Sequence, residues 1–154
     1  MLYKTFLKNL NRCPFCEPKD RIIKENKRAY LTYAIAPYHK HHLLVIPKKH
    51  DHAILDIRKN EMADITALIR YGLSLLHKLG YHNCSVLARE GKIGKIKSIE
   101  HVHYHVVPAV ALGDLDHYGK QRKVITRREI NKILSDFKKA YGLRKMPEKH
   151  WKKN

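Results

Sequence analysis

The stretch His101-Val102-His103-Tyr104-His105-Val106-Val107-Pro108 carries three histidines that alternate with apolar residues. Successive side chains of a β-strand point to opposite faces, so a strand here places all three imidazoles on one face, roughly 6.5–7 Å apart. The residues between them take the other face, and Val and Tyr both favour strands. A row of imidazoles suits the handling of protons, a nucleophile or a metal near neutral pH. The simpler alternative is the solvated polar face of an edge strand.

Size, charge and cysteine content narrow the class of protein. The chain has 154 residues, a formal net charge of +18 with His neutral, and three cysteines. This length suits one domain, and no apolar run is long enough to cross a membrane. The absence of a signal-peptide pattern and the odd cysteine count predict a cytoplasmic protein. The positive charge favours anionic partners such as nucleotides, polyphosphates or nucleic acid, although it could equally be only a basic surface.

Three further strands are predicted from runs of strand-forming residues. They are expected at 28–36, 42–47 and 83–88. The first two form a hairpin whose turn follows Pro37, and the second stops at Pro47. Strands that are mostly close in sequence favour an antiparallel sheet, and therefore an α+β fold.

Two helices are predicted from apolar residues at helical spacing. One covers the region from Met62 to Leu76, and Gly80 occupies the position of its C-terminal cap. The other begins at the capping box Thr126-Arg127-Arg128-Glu129 and ends near Gly142.

The turn Cys13-Pro14-Phe15-Cys16 is a second chemical signal. Two cysteines at this spacing can both reach a tetrahedral metal, but redox-active or purely structural cysteines have the same spacing. Cys84 lies alone in an apolar strand and is expected to be a small buried residue. Histidines would have to complete a zinc site, and the candidates outside the opening stretch are His39, His41, His42, His50 and His52.

Two blocks together resemble the histidine triad (HIT) family of nucleotide hydrolases and transferases. One is the histidine stretch preceded by Ser98, and the other is His42-Leu43-Leu44-Val45-Ile46-Pro47-Lys48-Lys49-His50, which is similar to the family's H-x-L-V-I-P-K-x-H pattern. The resemblance covers roughly 13–108 and implies a HIT-like antiparallel five-stranded sheet with a central helix and a C-terminal helix. We expect a single domain over 1–154, with a core at about 13–110 and a helical extension at about 111–154.

The resemblance also implies a mechanism. His103 would attack the α-phosphorus of a nucleotide and form a nucleotidyl-histidine intermediate. His105 would hydrogen-bond the phosphate oxygens, and His101 would stand beside the leaving group or ligate a metal. Ser98 would offer its hydroxyl to the phosphate or the leaving group. His42 would fix the tautomer of a triad imidazole.

The zinc-bearing, bacterial-type branch of the family implies a ligand set for this chain. A structural Zn²⁺ would be held by two thiolates and two imidazoles, which are those of Cys13, Cys16, His50 and His101. His41 and His52 match no family role, and we expect them to be solvated.

The loop before the triad departs from the family pattern. Arg89 stands where the family usually has Asn, and Lys97 where it usually has Gln. We expect both, together with Ser98 and His105, to bind substrate. The added positive charge favours an anionic substrate such as a dinucleoside polyphosphate over a substrate with an uncharged amine leaving group.

The resulting functional hypothesis is an enzyme. It would act on nucleoside phosphoramidates or dinucleoside polyphosphates through His103, with an adenine-containing purine nucleotide as substrate, and would form a homodimer as family members commonly do. A phosphorylase that uses inorganic phosphate instead of water is chemically close. The alternative is a zinc-stabilised nucleotide- or RNA-binding module in which catalysis is vestigial.

Overall fold

One antiparallel sheet of five strands forms the centre of the fold. The computed structural model describes residues 1–94, 97–109 and 123–142. The strands lie in the order β1-β2-β3-β5-β4, so the last of these described strands in sequence lies between two earlier ones. This sheet confirms the predicted fold class. The strand bounds are β1 Ile22–Glu25, β2 Ala29–Tyr33, β3 Leu43–Pro47, β4 Cys84–Ala88 and β5 Tyr104–Pro108.

The helices confirm the predicted central and C-terminal elements and add a short one. They are α1 (Tyr3–Lys8), α2 (Lys59–Lys78) and α3 (Arg127–Gly142), accompanied by 3₁₀ turns at Lys19–Arg21 and Ile54–Asp56. The sequence patterns had predicted neither α1 nor β1. Both are short, and neither has the repeated apolar spacing that the prediction relied on.

Local sequence explains how the two long helices begin and end. Gly80 follows α2 with φ +91°, a left-handed conformation that favours glycine, and its N–H donates to the carbonyl of His77. At the start of α3 the backbone N–H of Thr126 donates to the carboxylate of Glu129. The backbone N–H of Glu129 donates in turn to Thr126 Oγ1. The predicted capping box is therefore present.

The sheet separates two apolar clusters. The larger one contains Val45, Val102, Tyr104 and Val106 together with α2 and α3 side chains, including Phe137. The smaller one, on the other side, consists of Phe15, Tyr30, Ala34, Leu44, Ile46 and Ile99. Because strand side chains alternate, residues 42 and 105 face the smaller cluster, which places the candidate site on that side of the sheet.

The predicted C-terminal extension at 111–154 falls only partly within the described residues. Its described part, 123–142, contains α3, whose Ile133 and Phe137 pack into the larger cluster. None of the described helices is long and apolar enough to cross a membrane.

Candidate active site

The histidine stretch enters the sheet later than its alternation predicts. β5 begins at Tyr104, so His101 and His103 precede the strand and do not lie in it. The neighbouring strand ends at Pro47, which has no N–H for the ladder, and the N–H of Val102 donates instead to the carbonyl of Asp51. The intervening apolar residues still enter the larger cluster, and the three imidazoles remain neighbours on the opposite side.

His103 is held in one tautomer. Its Nδ1–H donates to the backbone carbonyl of His101 at 2.8 Å, which leaves the lone pair on Nε2. The residue is 9% exposed, and its ring lies 5.0 Å from that of Phe15 and 4.8 Å from that of His105, between ring centroids. Burial, together with the charges of Lys97 and Arg89, lowers the pKa of His103 to about 4. At neutral pH this imidazole is therefore uncharged and nucleophilic.

A chain of polar side chains runs from His42 through His105 to Arg89. The N–H of Tyr38 donates to His42 Nδ1 at 3.2 Å, so Nε2 of His42 carries the hydrogen and donates to His105 Nδ1 at 2.9 Å. Nε2 of His105 then carries a hydrogen as well, yet Nη1 of Arg89 lies 3.3 Å away and can only donate. Two donors converge at this point, an arrangement suited to an anionic oxygen.

The cysteine turn is fixed against the triad by backbone and ring contacts. The N–H of Cys16 donates to the carbonyl of Cys13, and Tyr30 Oη donates to the carbonyl of Phe15 at 2.7 Å. The buried Phe15 ring contacts the rings of both His101 and His103. Sequence reasoning had not singled out Phe15, although an apolar residue inside a cysteine turn is a usable signal of burial.

The four predicted metal ligands come together. The ligand atoms of Cys13, Cys16, His50 and His101 all lie within 4.8 Å of one another. The Sγ atoms of Cys13 and Cys16 lie 3.5 and 3.6 Å from His101 Nδ1, and tetrahedral zinc with ordinary bond lengths separates its ligands by about 3.4–3.8 Å. This cluster could hold a metal ion.

The orientation of His101 suits a metal ligand. Its Nε2–H donates to the carbonyl of Pro47 at 2.9 Å, which fixes the tautomer with a lone pair on Nδ1, towards the thiols. Burial lowers the pKa of His101 to about 4, so it offers a neutral ring. Burial also raises the pKa of the Cys16 thiol to about 11, with a further contribution from the hydrogen bond to Cys13. A bound cation would reverse this effect by favouring the thiolate.

The remaining predicted substrate residues lie in the segment before the triad. Lys97 is 1% exposed, and its Nζ donates to the carbonyl oxygens of His52 and Gly91 at 2.6 and 2.7 Å. The ammonium therefore joins two loops, and its contact with substrate stays a prediction. Ser98 Oγ lies 3.0 Å from the hydroxyl of Tyr3, a residue of α1 that sequence reasoning had not singled out.

The prediction for His41 is wrong, whereas His52 is exposed as expected. His41 is only 3% exposed. Its Nε2–H donates to the carboxylate of Asp136 in α3 at 2.8 Å, and its Nδ1 accepts from the hydroxyl of Tyr81 at 2.9 Å. These partners, remote in sequence, satisfy both ring nitrogens, which allows a polar side chain to be buried. At the surface, His52 Nδ1 lies 2.9 Å from a carboxylate oxygen of Glu100.

Sequence comparison finds relatives across most of the chain. The HIT domain family matches residues 16–111. An uncharacterised HIT-like protein of Methanocaldococcus jannaschii is 24% identical over 132 residues, which cover 82% of this chain and 98% of the relative. The adenosine 5'-monophosphoramidase hnt1 of Schizosaccharomyces pombe is 35% identical over 74 residues, 48% of this chain and 53% of the relative, so this match spans about half of that relative's length.

Solved structures show the same fold. A hypothetical histidine triad nucleotide-binding protein from Sulfolobus tokodaii superposes with a TM-score of 0.63 at 21% identity, covering 83% of this chain and 91% of that one. A zinc-bound histidine triad family protein from Mycobacterium smegmatis superposes with a TM-score of 0.58 at 21% identity, covering 82% and 94%. With the family matched over most of the chain and the fold shared, this protein belongs to the HIT domain family.

Proposed function

We propose that the protein is a nucleotide hydrolase or transferase that acts at an α-phosphate through His103. The observation that carries this proposal is the state of that imidazole. It is buried and neutral, its Nδ1–H is engaged by the His101 carbonyl, and its Nε2 lone pair is available. The converging donors of His105 and Arg89 lie next to it and suit the non-bridging oxygens of a phosphate.

The reaction would proceed in two displacements. His103 Nε2 forms a bond to the α-phosphorus while the bond from phosphorus to the leaving group breaks. The electron pair departs with the leaving group, which takes up a proton from solvent when it is an amine. The His101 carbonyl stabilises the cationic ring of the nucleotidyl-histidine. Water then attacks phosphorus and loses a proton to solvent, and the phosphorus–nitrogen bond breaks to restore the neutral imidazole.

The substrate would be an adenine nucleotide with an anionic leaving group. Arg89 adds a fixed positive charge beside His105, which favours a dinucleoside polyphosphate. Adenosine phosphoramidate is the competing substrate, and it fits the name of the S. pombe relative. We also propose that the metal cluster binds structural Zn²⁺, placing the chain in the zinc-bearing branch. Bound there, zinc would hold the cysteine turn on the sheet, and Cys13, Cys16, His50 and His101 would ligate it.

The assembly proposed for the chain is one domain over 1–154 that forms a homodimer. The packing of α3 side chains into the same cluster as α2 supports a single domain. In the described sheet β4 is an edge strand with Val86 44% exposed, which supports pairing with a second copy. The mass in solution, measured by light scattering, tests the dimer.

The decisive experiment supplies adenosine phosphoramidate and diadenosine tetraphosphate to wild-type protein and to His103→Ala. Released AMP, ADP and ATP are quantified, with and without inorganic phosphate. We expect wild-type turnover to fall by at least about a thousandfold in the variant. In wild type we expect faster turnover of the tetraphosphate than of the phosphoramidate. Extra ADP formed only with added phosphate would identify the phosphorylase variant. Nucleotide binding without turnover, unchanged in His103→Ala, would instead support the binding module.

A further inference from the structure

We propose that Tyr3 is a positioning residue of the active site, and that it acts through Ser98 on the leaving group. This inference rests on the proposed function. Tyr3 lies in the N-terminal helix, 95 residues before Ser98, and the two hydroxyl oxygens are 3.0 Å apart in a partly buried contact. The N-terminal segment thus contributes a polar group to the loop that leads directly into the triad.

Several contacts hold Tyr3 in place. Its ring stacks on that of Phe6 with centroids 6.1 Å apart and an interplanar angle of 16°. Before α1, Leu2 forms a β-bridge with Lys123, and the N–H of Val124 donates to the carbonyl of Met1 at 3.0 Å. The ring contact and the anchored backbone before Tyr3 indicate that the fold places the hydroxyl.

The rigidity of the other partner supports the same conclusion. Ser98 stands between Lys97, whose ammonium is fixed by two carbonyl oxygens, and Ile99, which is buried in the smaller cluster. The residues on both sides of Ser98 are therefore anchored, although the hydrogen of its hydroxyl can still rotate. A hydrogen bond from Tyr3 would determine that rotation.

The direction of the hydrogen bond gives Tyr3 its effect. If Ser98 donates to the leaving group, its oxygen must accept from the phenol of Tyr3. A phenol is a good donor, and donation to Ser98 Oγ polarises the serine O–H, which strengthens the hydrogen bond that this group makes in turn. The leaving group departs with the electron pair of the broken bond, so a stronger donor matters most for leaving groups that carry high charge on that atom.

The test compares wild type, Tyr3→Phe, Ser98→Ala and the double variant on two adenylate substrates. Adenosine phosphoramidate has a poor leaving group, whereas the p-nitrophenyl ester of AMP has a good one. We expect Tyr3→Phe to lower kcat about three- to tenfold on the phosphoramidate with little change in KM, and to leave the p-nitrophenyl ester nearly unaffected. In the Ser98→Ala background, Tyr3→Phe should have no further effect on kcat.

Controls separate this role from a structural one. Tyr71→Phe removes a hydroxyl from α2, away from the triad, and should match wild type on both substrates. Provided that His103-dependent turnover is present, three results would overturn the proposal. They are equal losses on both substrates, a full Tyr3→Phe effect in the Ser98→Ala background, and no effect of Tyr3→Phe at all. Absence of His103-dependent turnover in wild type would instead refute the proposed function, and this inference with it.

Discussion

At the scale of single residues, the site is defined by which nitrogen carries each hydrogen. The His101 carbonyl sets the tautomer of His103, and the Tyr38 N–H sets that of His42 and, through it, that of His105. The chain reaches Arg89, whose guanidinium lies beside the Nε2–H of His105. Under the proposed function, a phosphate oxygen would accept from both donors, which would already be in place before substrate binds.

Arg89→Gln should weaken the binding of polyphosphate substrates. Hydrogen bonds to charged groups are stronger than neutral ones, so we expect KM for diadenosine tetraphosphate to rise at least about tenfold, and KM for adenosine phosphoramidate to rise less. Steady-state kinetics on both substrates measure the difference. Arg128→Gln, which removes the same charge from the exposed side of α3, is the matched control. Equal changes in KM for the two substrates would argue against a role for Arg89 in selecting polyphosphate.

His41 should make stability depend on pH. Burial lowers its pKa, so the unfolded chain takes up a proton near the ordinary pKa of about 6.5 while the folded chain remains neutral to lower pH. The free energy of unfolding therefore falls as pH decreases below about 6.5. We expect His41→Gln to be less stable than wild type at pH 7.5 but to lose less stability between pH 7.5 and 5.

Urea unfolding at the two pH values measures this effect. The exposed His82 provides the control, because His82→Gln should keep the pH dependence of wild type. If the free energy of unfolding changed with pH to the same extent in wild type and in His41→Gln, the buried ring would have no part in the pH dependence of stability.

At the scale of elements, the cysteine turn and the triad are joined through one residue. The imidazole of His101 belongs to the metal cluster, while its carbonyl accepts from the nucleophile. Displacement of the turn would therefore disturb His103 through the His101 carbonyl. If the cluster holds zinc, as proposed, we expect the metal to affect activity through the position of His103 and not through chemistry at the phosphate.

Cys16→Ser should show this coupling. We expect about one zinc per wild-type chain and much less in the variant, together with a lower Tm and a reduced kcat. Metal analysis, thermal unfolding and kinetics on one preparation test all three. Cys84→Ser removes a thiol from β4 and should retain zinc. A Cys16→Ser protein with a full complement of zinc would contradict the assigned ligands.

Sequence patterns predicted the elements that have internal periodicity and missed those defined by distant partners. The central helix and the hairpin follow from local spacing, and their bounds agree within a few residues. By contrast, His41 is buried because Tyr81 and Asp136, far along the chain, satisfy its nitrogens. The metal cluster came from a resemblance and not from spacing, and Tyr3 left no pattern in the sequence at all.

At the scale of the whole molecule, the net charge of +18 should act on substrate association. A positive field concentrates polyanions, and salt screens it over about 10 Å at 0.1 M and about 3 Å at 1 M. We expect KM for diadenosine tetraphosphate to rise between 50 and 500 mM NaCl more steeply than KM for adenosine phosphoramidate, with kcat nearly constant. Salt-independent KM values for both would show that the charge serves another purpose.

The position of β5 also has a consequence for biosynthesis. This strand is the last of the five to leave the ribosome, yet it lies between β3 and β4 in the finished sheet. Until it emerges, the nascent chain exposes two unpaired strand edges, which are prone to join other chains. A product truncated before the histidine stretch would therefore be a candidate for aggregation and degradation, and no stable shorter form of the protein should accumulate in the cell.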